Sequence, residues 1–162
     1  MHDQLLSDHH LRHFSDPAEA ARYACDLSNA IISANWLLIG AALAEQGAAF
    51  LCVDLETQDD DKTPYISRIY ALKEDRQEIP LADRNMDLMA RGIMENEGRI
   101  SVGATALDWP LDVRLAMLAQ DHLDAAHPGW NTPDAGAGTL VIDTDGRPVL
   151  SRHEKRRPYD LE

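Results

Sequence analysis

His122 is the titratable residue whose neighbours come closest to a catalytic set. Asp121, Asp124 and His127 lie near it in the sequence, and an enzyme would need His122 to converge with a carboxylate in a concave pocket. On a helix, the step from His122 to His127 would turn the two imidazoles well apart, and the metalloprotease pattern His-Glu-x-x-His is absent. We therefore predict no catalytic residue. A small enzyme that uses His122 and nearby carboxylates, including Asp54 or Glu56, remains an alternative.

Histidines near the start of the chain could in principle bind a metal ion. His9 and His13 are spaced i,i+4 and would share one face of a helix. No third ligand is in register with them, and chain termini are usually mobile. We predict no metal site there and expect residues 1–14 to form a flexible or loosely docked arm.

Sequence motifs for cofactors are also absent. The glycine-rich residues 129–138 lack the Gly-Lys-Ser/Thr ending of a phosphate loop. The chain contains no G-x-G-x-x-G, no C-x-x-C and no G-x-S-x-G pattern. We predict that the protein uses no cofactor.

An acidic triplet, Asp59-Asp60-Asp61, is the candidate contact with a partner. Calcium loops place oxygen ligands at alternate positions around a glycine, whereas this run is consecutive and has no glycine. The triplet therefore indicates a solvated loop or an acidic patch that faces a partner. We name Asp59, Asp60 and Asp61 as the predicted partner-binding residues.

Charge restricts the kind of partner. The chain has 15 basic and 28 acidic residues, a net charge of −13 at pH 7. Before Arg147 there are 10 basic and 25 acidic residues, so the body carries −15. Such a body repels nucleic acid and attracts basic proteins. Acidity that serves only solubility is the alternative.

Composition places the chain among single-domain globular proteins. Its 162 residues fit one domain with a core that needs no disulfide staples. Cys25 and Cys52 are too few for a disulfide framework, so we interpret both as small buried apolar residues in a reducing cytoplasm.

The longest apolar stretch must form the centre of the core. Asp16, Pro17 and Glu19 carry helix-start signals, and apolar residues then recur at steps of three and four. We predict a helix over about residues 16–46 that is buried on most sides, with a possible kink at Ser28-Asn29. Its most apolar part is shorter than the roughly 20 residues of a membrane span, so we predict no membrane association.

Two further helices and about five strands complete the predicted fold. The spacing of Met86, Met89, Ala90, Ile93 and Met94 predicts a helix over residues 83–97, and a leucine stripe predicts another over about 109–126. Strand patterns occupy residues 48–56, 65–73, 99–106, 139–143 and 147–151.

These elements predict an α+β fold, with three main helices packed on one small, largely antiparallel sheet. We divide the chain into the arm 1–14, a single acidic domain 15–151 and a basic tail 152–162. Asp145-Gly146 is a strong hairpin signal, and Pro148 predicts that the last strand lies at a sheet edge.

The favoured functional hypothesis is a non-catalytic acidic protein that inhibits a basic protein, as immunity, anti-restriction and anti-CRISPR proteins do. Carboxylates along its surface would substitute for phosphates and speed association. A homo-oligomeric structural or adaptor protein is the second hypothesis, with the apolar helix and the methionines of residues 86–94 at the interface.

Overall fold

The computed structural model describes residues 12–57, 63–84, 86–132 and 135–152. This part of the chain folds into two helices and eight strands in α+β arrangement. In chain order they are β1 (Arg12–Phe14), α1 (Pro17–Glu45), β2 (Phe50–Thr57), β3 (Pro64–Leu72), β4 (Glu78–Ile79), β5 (Met89–Asn96), β6 (Arg99–Ala106), α2 (Leu111–Ala126), β7 (Gly138–Asp143) and β8 (Pro148–Arg152).

The helix α1 confirms the predicted central helix. The Asp16 carboxylate caps its start by accepting from the backbone N–H of Ala18 at 3.0 Å, with Pro17 in the first turn. The helix continues through Ser28-Asn29 as one element. Gly47, at φ +79°, follows its end and adopts the left-handed conformation that glycine tolerates.

The two halves of α1 are buried against different layers. Its first half packs Ala24, Leu27 and Ile31 against Val102 of β6. Its second half places Ile39 and Leu43, both fully buried, in the main core with α2 and the larger sheet. One helix therefore joins both layers of the molecule.

The prediction of a helix over residues 83–97 is wrong. Residues Met89–Asn96 form strand β5, and Glu97-Gly98 turns the chain directly into β6. Both turn residues have positive φ, 52° and 78°, as a tight two-residue hairpin turn requires. Met86 is buried in the main core, but Ile93 and Met94 are 55% and 64% exposed, so the apolar residues do not share a face. A helical spacing of five apolar residues can arise by chance in so short a segment. The turn with two left-handed residues is the stronger determinant of the structure here.

The single predicted sheet is likewise wrong, because the strands form two antiparallel sheets. The larger has the order β4-β3-β2-β7-β8, and the smaller has the order β1-β6-β5. Of the five predicted strands, four belong to the larger sheet, and the strand over residues 99–106 is β6 of the smaller sheet. The smaller sheet exists because the segment predicted as a helix is a strand that pairs with β6, and because Arg12–Phe14, part of the predicted arm, pairs with the other side of β6.

The larger sheet contains two hairpins, and the hairpin predicted at Asp145-Gly146 is confirmed. Strands β2 and β3 pair over their whole length, on either side of the segment that contains the acidic triplet. Strands β7 and β8 pair around Asp145-Gly146, where the Asp143 carboxylate accepts from the N–H groups of Asp145 and Arg147 at 2.9 and 3.1 Å. Pro148 lies in the edge strand β8, as predicted.

Helix α1 is long and apolar enough to cross a membrane by length and composition. Half of its most apolar window is buried inside the protein, as is common for the core helix of a globular domain.

Candidate functional site

His122 lies on the face of α2 that points into the protein. Its ring packs edge-on against Trp36 of α1, with 5.7 Å between ring centroids. Burial lowers the pKa of His122, and the neighbouring His127 lowers it further. The His122 Nε2 atom and the Trp36 Nε1 atom are both buried without a hydrogen-bond partner among the described residues.

The expectation that His122 and His127 point apart is wrong. Their ring centroids are 5.8 Å apart. His127 is the cap residue of α2, with φ −133° and ψ 61°, so its side chain leaves the helical path. The helical spacing argument therefore does not apply to it.

Asp121 and Asp124 line a different region, a cleft of about 420 Å³ between α1, α2 and β5. The cleft also contains Arg91 and Ser28. Burial raises the pKa of Asp121, and the charge of Asp124 adds to the shift. Because successive helical residues are about 100° apart, both carboxylates point away from the core-facing stripe of His122.

Asp54, another carboxylate considered for an enzyme, belongs to a hydrogen-bonded cluster on the larger sheet. Its Oδ1 atom accepts from the hydroxyl groups of Tyr70 and Thr139, each at 3.1 Å. Burial, followed by this hydrogen bond and the charge of Asp54, raises the pKa of Tyr70 to about 12. Strand alternation places Asp54 on the opposite face from the core residues Val53 and Leu55. The described residues thus do not bring His122 and a carboxylate together in one pocket.

An apolar groove suited to binding lies between β3 and α2, and we call it the aromatic groove. Its volume is about 480 Å³. Trp109, Val113 and Tyr65 line it and are 51%, 46% and 40% exposed. The other lining residues are Thr63, Pro64, Ile66, Ala116, Met117, Gln120, Trp130 and Asn131.

The buried Arg114 fixes the end of this groove that contains Trp109. Arg114 is 5% exposed and donates from Nε to the backbone carbonyl of Trp109 at 2.8 Å. It also donates to the carbonyl of Met86 at 2.7 Å and forms an ion pair with Asp83. Because a buried guanidinium must keep its partners, these bonds hold Trp109 at the start of α2.

Trp130 lines the opposite end of the groove. This side chain is 5% exposed, and its indole N–H donates to Asp124 at 2.8 Å. The Asp124 carboxylate therefore serves as the fixed acceptor for an aromatic wall of the groove. Arg152 donates to the carbonyl of Trp130 at 3.4 Å, which places one cation beside this end.

Acidic residues flank the aromatic groove. Asp108 is exposed and adjoins Trp109 in the sequence, whereas Asp112 lies on another side of α2 and lines a separate pocket with Leu111 and Leu115. Glu56 is exposed and pairs with Tyr65 across β2 and β3. The predicted contact residues Asp59, Asp60 and Asp61 lie outside the described residues, but Thr63, which follows them in the chain, lines the groove.

Metal ligands do not cluster in the described part of the chain. No group of three or more histidine, cysteine, aspartate or glutamate side chains could hold an ion there. His9 lies outside the described residues, and His13 has its Nδ1 atom 2.7 Å from the Ser101 hydroxyl. Of the two cysteines predicted to be buried, Cys52 is buried, but Cys25 is exposed on α1, so that prediction is wrong for Cys25.

Sequence reasoning did not identify the aromatic groove. Trp109 stands between Asp108 and Pro110 at a helix start and outside the leucine stripe of α2, which is a signal for exposure. Arg114 stands among the apolar positions Leu111, Leu115 and Leu118, which is a signal for a buried charge with dedicated partners. The association of Trp109 with Tyr65 joins two elements far apart in sequence and needs the tertiary fold.

Comparisons of the chain with protein-family models, with curated protein sequences and with solved structures find no match.

Proposed function

We propose that the protein is a non-catalytic binding protein that recognises a basic protein partner through the aromatic groove and inhibits it. The observation that supports this most directly is the exposure of Trp109, Val113 and Tyr65 along one groove of a chain with net charge −13. Exposed apolar groups gathered beside charged residues are typical of protein interaction sites.

The chemistry of the groove fits a partner segment that is rich in arginine or lysine. Aromatic faces attract a guanidinium or ammonium group, and the methylene stems of these side chains pack on apolar surface. Asp108 and Glu56 would supply the opposite charge near the groove, while the buried Trp130 would form an apolar wall.

Nucleic-acid-binding proteins are the class of basic partner that we favour. Their binding surfaces select negative charge spaced along a chain, and an acidic protein can occupy them in place of nucleic acid. An anti-restriction or anti-CRISPR type protein would act in this way, whereas an immunity protein would bind a basic toxin. In this proposal Asp59, Asp60 and Asp61 extend the acidic contact, and the protein acts in the cytoplasm.

The test is retention of a partner from native host lysate on the immobilised full-length chain, at low and at high salt. Wild type, Trp109→Ala and Leu37→Ala are compared. Leu37 is the matched control, because it is 61% exposed on α1 and does not line the groove. We expect wild type and Leu37→Ala to retain the same basic protein at low salt only, because exposed charge pairs are screened over about 8–10 Å in physiological salt.

The same partner, once purified, gives the quantitative result. We expect Trp109→Ala to weaken binding by about 30-fold, since aromatic residues at the centre of an interface commonly contribute about 2 kcal/mol or more. Unchanged affinity in Trp109→Ala would remove the groove from the interface. Charge reversal of Asp59, Asp60 and Asp61 should slow association, and an unchanged association rate would remove the triplet.

A further inference from the structure

Within the described part of the chain, the smaller sheet ends in an edge strand that no other strand covers. Of the four edge strands in the described residues, β4 has two residues, β1 has three, and β8 carries Pro148, which lacks a backbone N–H. The strand β5 has eight residues and no proline. It is therefore the long free edge that this part of the structure offers to another strand.

The hairpin geometry shows which backbone groups of β5 point outward. Asn96 and Arg99 close the two-residue turn, so they form a hydrogen-bonded pair. Because hydrogen-bonded and non-bonded pairs alternate along an antiparallel ladder, the N–H and C=O groups of Arg91, Ile93 and Glu95 point away from β6. No other described residue is hydrogen-bonded to these groups.

The side chain of Asn35 in α1 confirms that alternate residues of β5 point outward, and it marks where the free edge ends. The backbone groups of Met89 point outward like those of Arg91, two residues further on. The buried amide of Asn35 forms hydrogen bonds with both of these Met89 groups. Asn35 Nδ2 donates to the Met89 carbonyl at 2.9 Å, and Asn35 Oδ1 accepts from the Met89 N–H at 3.0 Å. Arg91, Ile93 and Glu95 thus have outward backbone groups that no other residue in the described ranges pairs with.

These three residues are complementary to themselves when the strand is reversed. Arg91 and Glu95 are exposed, carry opposite charges and lie two residues to either side of Ile93, which is 55% exposed. All three share one face of the strand, because they are separated by steps of two. A reversed copy therefore meets each charge with its opposite.

We propose that two copies of this chain associate through β5, paired antiparallel with Ile93 on the two-fold axis. Each Arg91 then lies opposite Glu95 of the partner subunit, and the two small sheets join into one of six strands. All three outward-facing residues form two backbone hydrogen bonds each. Registers centred on Arg91 or on Glu95 place like charges together, which is unfavourable, and registers centred on Gly92 or Met94 leave one outward residue unpaired.

This self-association does not depend on the aromatic groove, whose residues lie on other elements. A dimer would present two grooves to partners. Failure of either proposal would leave the other intact. The self-association is measured on the purified chain alone, whereas binding through the aromatic groove is measured with a second protein.

The first experiment is sedimentation equilibrium of the purified full-length chain over a range of concentrations. We expect a mass of twice the 18.0 kDa of one chain. Ile93→Lys places two like charges on the axis and should weaken the dimer at least about tenfold. Met94→Lys is the matched control, because Met94 is 64% exposed on the other face of the same strand, and it should remain dimeric.

The register is tested by cysteine cross-linking in a Cys25→Ser background, which removes the exposed native thiol. Ile93→Cys should form an intermolecular disulfide, because directly opposite residues of a hydrogen-bonded pair lie about 5.5 Å apart at Cα. Met94→Cys should not, since the two copies of residue 94 are offset along the strands. Glu95→Arg should weaken the dimer, and adding Arg91→Glu should restore it.

A wild-type chain that stays monomeric at about 100 µM, the range in which weak interfaces still assemble, would overturn the proposal. A dimer that survives Ile93→Lys, or one that cross-links through Met94→Cys instead of Ile93→Cys, would also overturn it. If Ile93→Lys lowered the folded fraction by circular dichroism, the cross-linking pair would decide the question.

Discussion

At the scale of single residues, His122 shows how burial, together with a neighbouring imidazole, lowers a pKa. The imidazole packs against Trp36 and His127, and its Nε2 atom has no hydrogen-bond partner among the described residues. A charged imidazole in this position would lose its hydration without gaining an acceptor, so the folded state favours the neutral form. The role that the contacts support is packing between α1 and α2.

We predict that this residue makes the protein less stable in mild acid. Above about pH 6.5 His122 is neutral in both folded and unfolded chains. Below that pH the unfolded chain binds a proton that the folded chain resists, because the folded-state pKa is lowered, so the free energy of unfolding falls. Urea unfolding at pH 7.5 and 5.5 should show a larger loss for wild type than for His122→Gln. Equal losses would show that His122 is not responsible.

At the scale of elements, α1 approaches the turn between β7 and β8 backbone to backbone. A Cβ atom placed on Gly40 would lie 2.6 Å from the Gly146 nitrogen and 2.7 Å from the Thr144 carbonyl oxygen. Gly146 in turn faces the carbonyl of Trp36, at 2.6 Å from a Cβ placed there. Both glycines are therefore needed for the helix to lie on the larger sheet at this distance.

Gly40→Ala tests this packing because two effects oppose each other. Helix propensity alone favours alanine over glycine by about 1 kcal/mol. The clash with backbone atoms, which cannot rotate away, should instead destabilise the protein by about 1–3 kcal/mol. Chemical unfolding measures the sign. Ser33→Ala, at an exposed position of the same helix, is the control and should be neutral or slightly stabilising. A more stable Gly40→Ala protein would refute the close approach.

At the scale of the whole molecule, charge is the dominant property. A net charge of −13 on 162 residues produces self-repulsion that opposes the compact state. The ion pairs Arg68–Glu78 and Arg114–Asp83 act in the other direction. Both side chains of the Arg68–Glu78 pair are exposed, so this pair contributes little to stability. We therefore expect repulsion between the acidic residues to outweigh the attraction of the ion pairs.

We therefore expect sodium chloride to stabilise the protein. Screening shortens the reach of repulsion from about 30 Å at 0.01 M to about 10 Å at 0.1 M salt, so the urea midpoint should rise over this range. Urea is the suitable denaturant because it adds no ions of its own. A midpoint that falls with salt would show that attractive pairs outweigh the repulsion of the acidic body.

The sequence by itself determined the parts of the fold that rest on local interactions. The cap Asp16, the apolar length of α1, the hairpin at Asp145-Gly146 and the edge position of Pro148 were all predicted correctly. Each of these depends on neighbours within a few residues, where backbone geometry and hydrogen bonding are decisive. The same reasoning fails for residues 83–97, where the apolar spacing fits a helix although the chain forms a strand and then turns at Glu97-Gly98.

Only the tertiary structure decided how the sheets divide and which side chains meet. The small sheet requires Arg12–Phe14 and Met89–Asn96 to flank the same strand, although about 75 residues separate them in the sequence. The aromatic groove requires Tyr65 of β3 and Trp109 at the start of α2 to line the same groove. Such contacts are selected by the total apolar surface that the fold buries, and this quantity belongs to the whole chain and to no single segment of it.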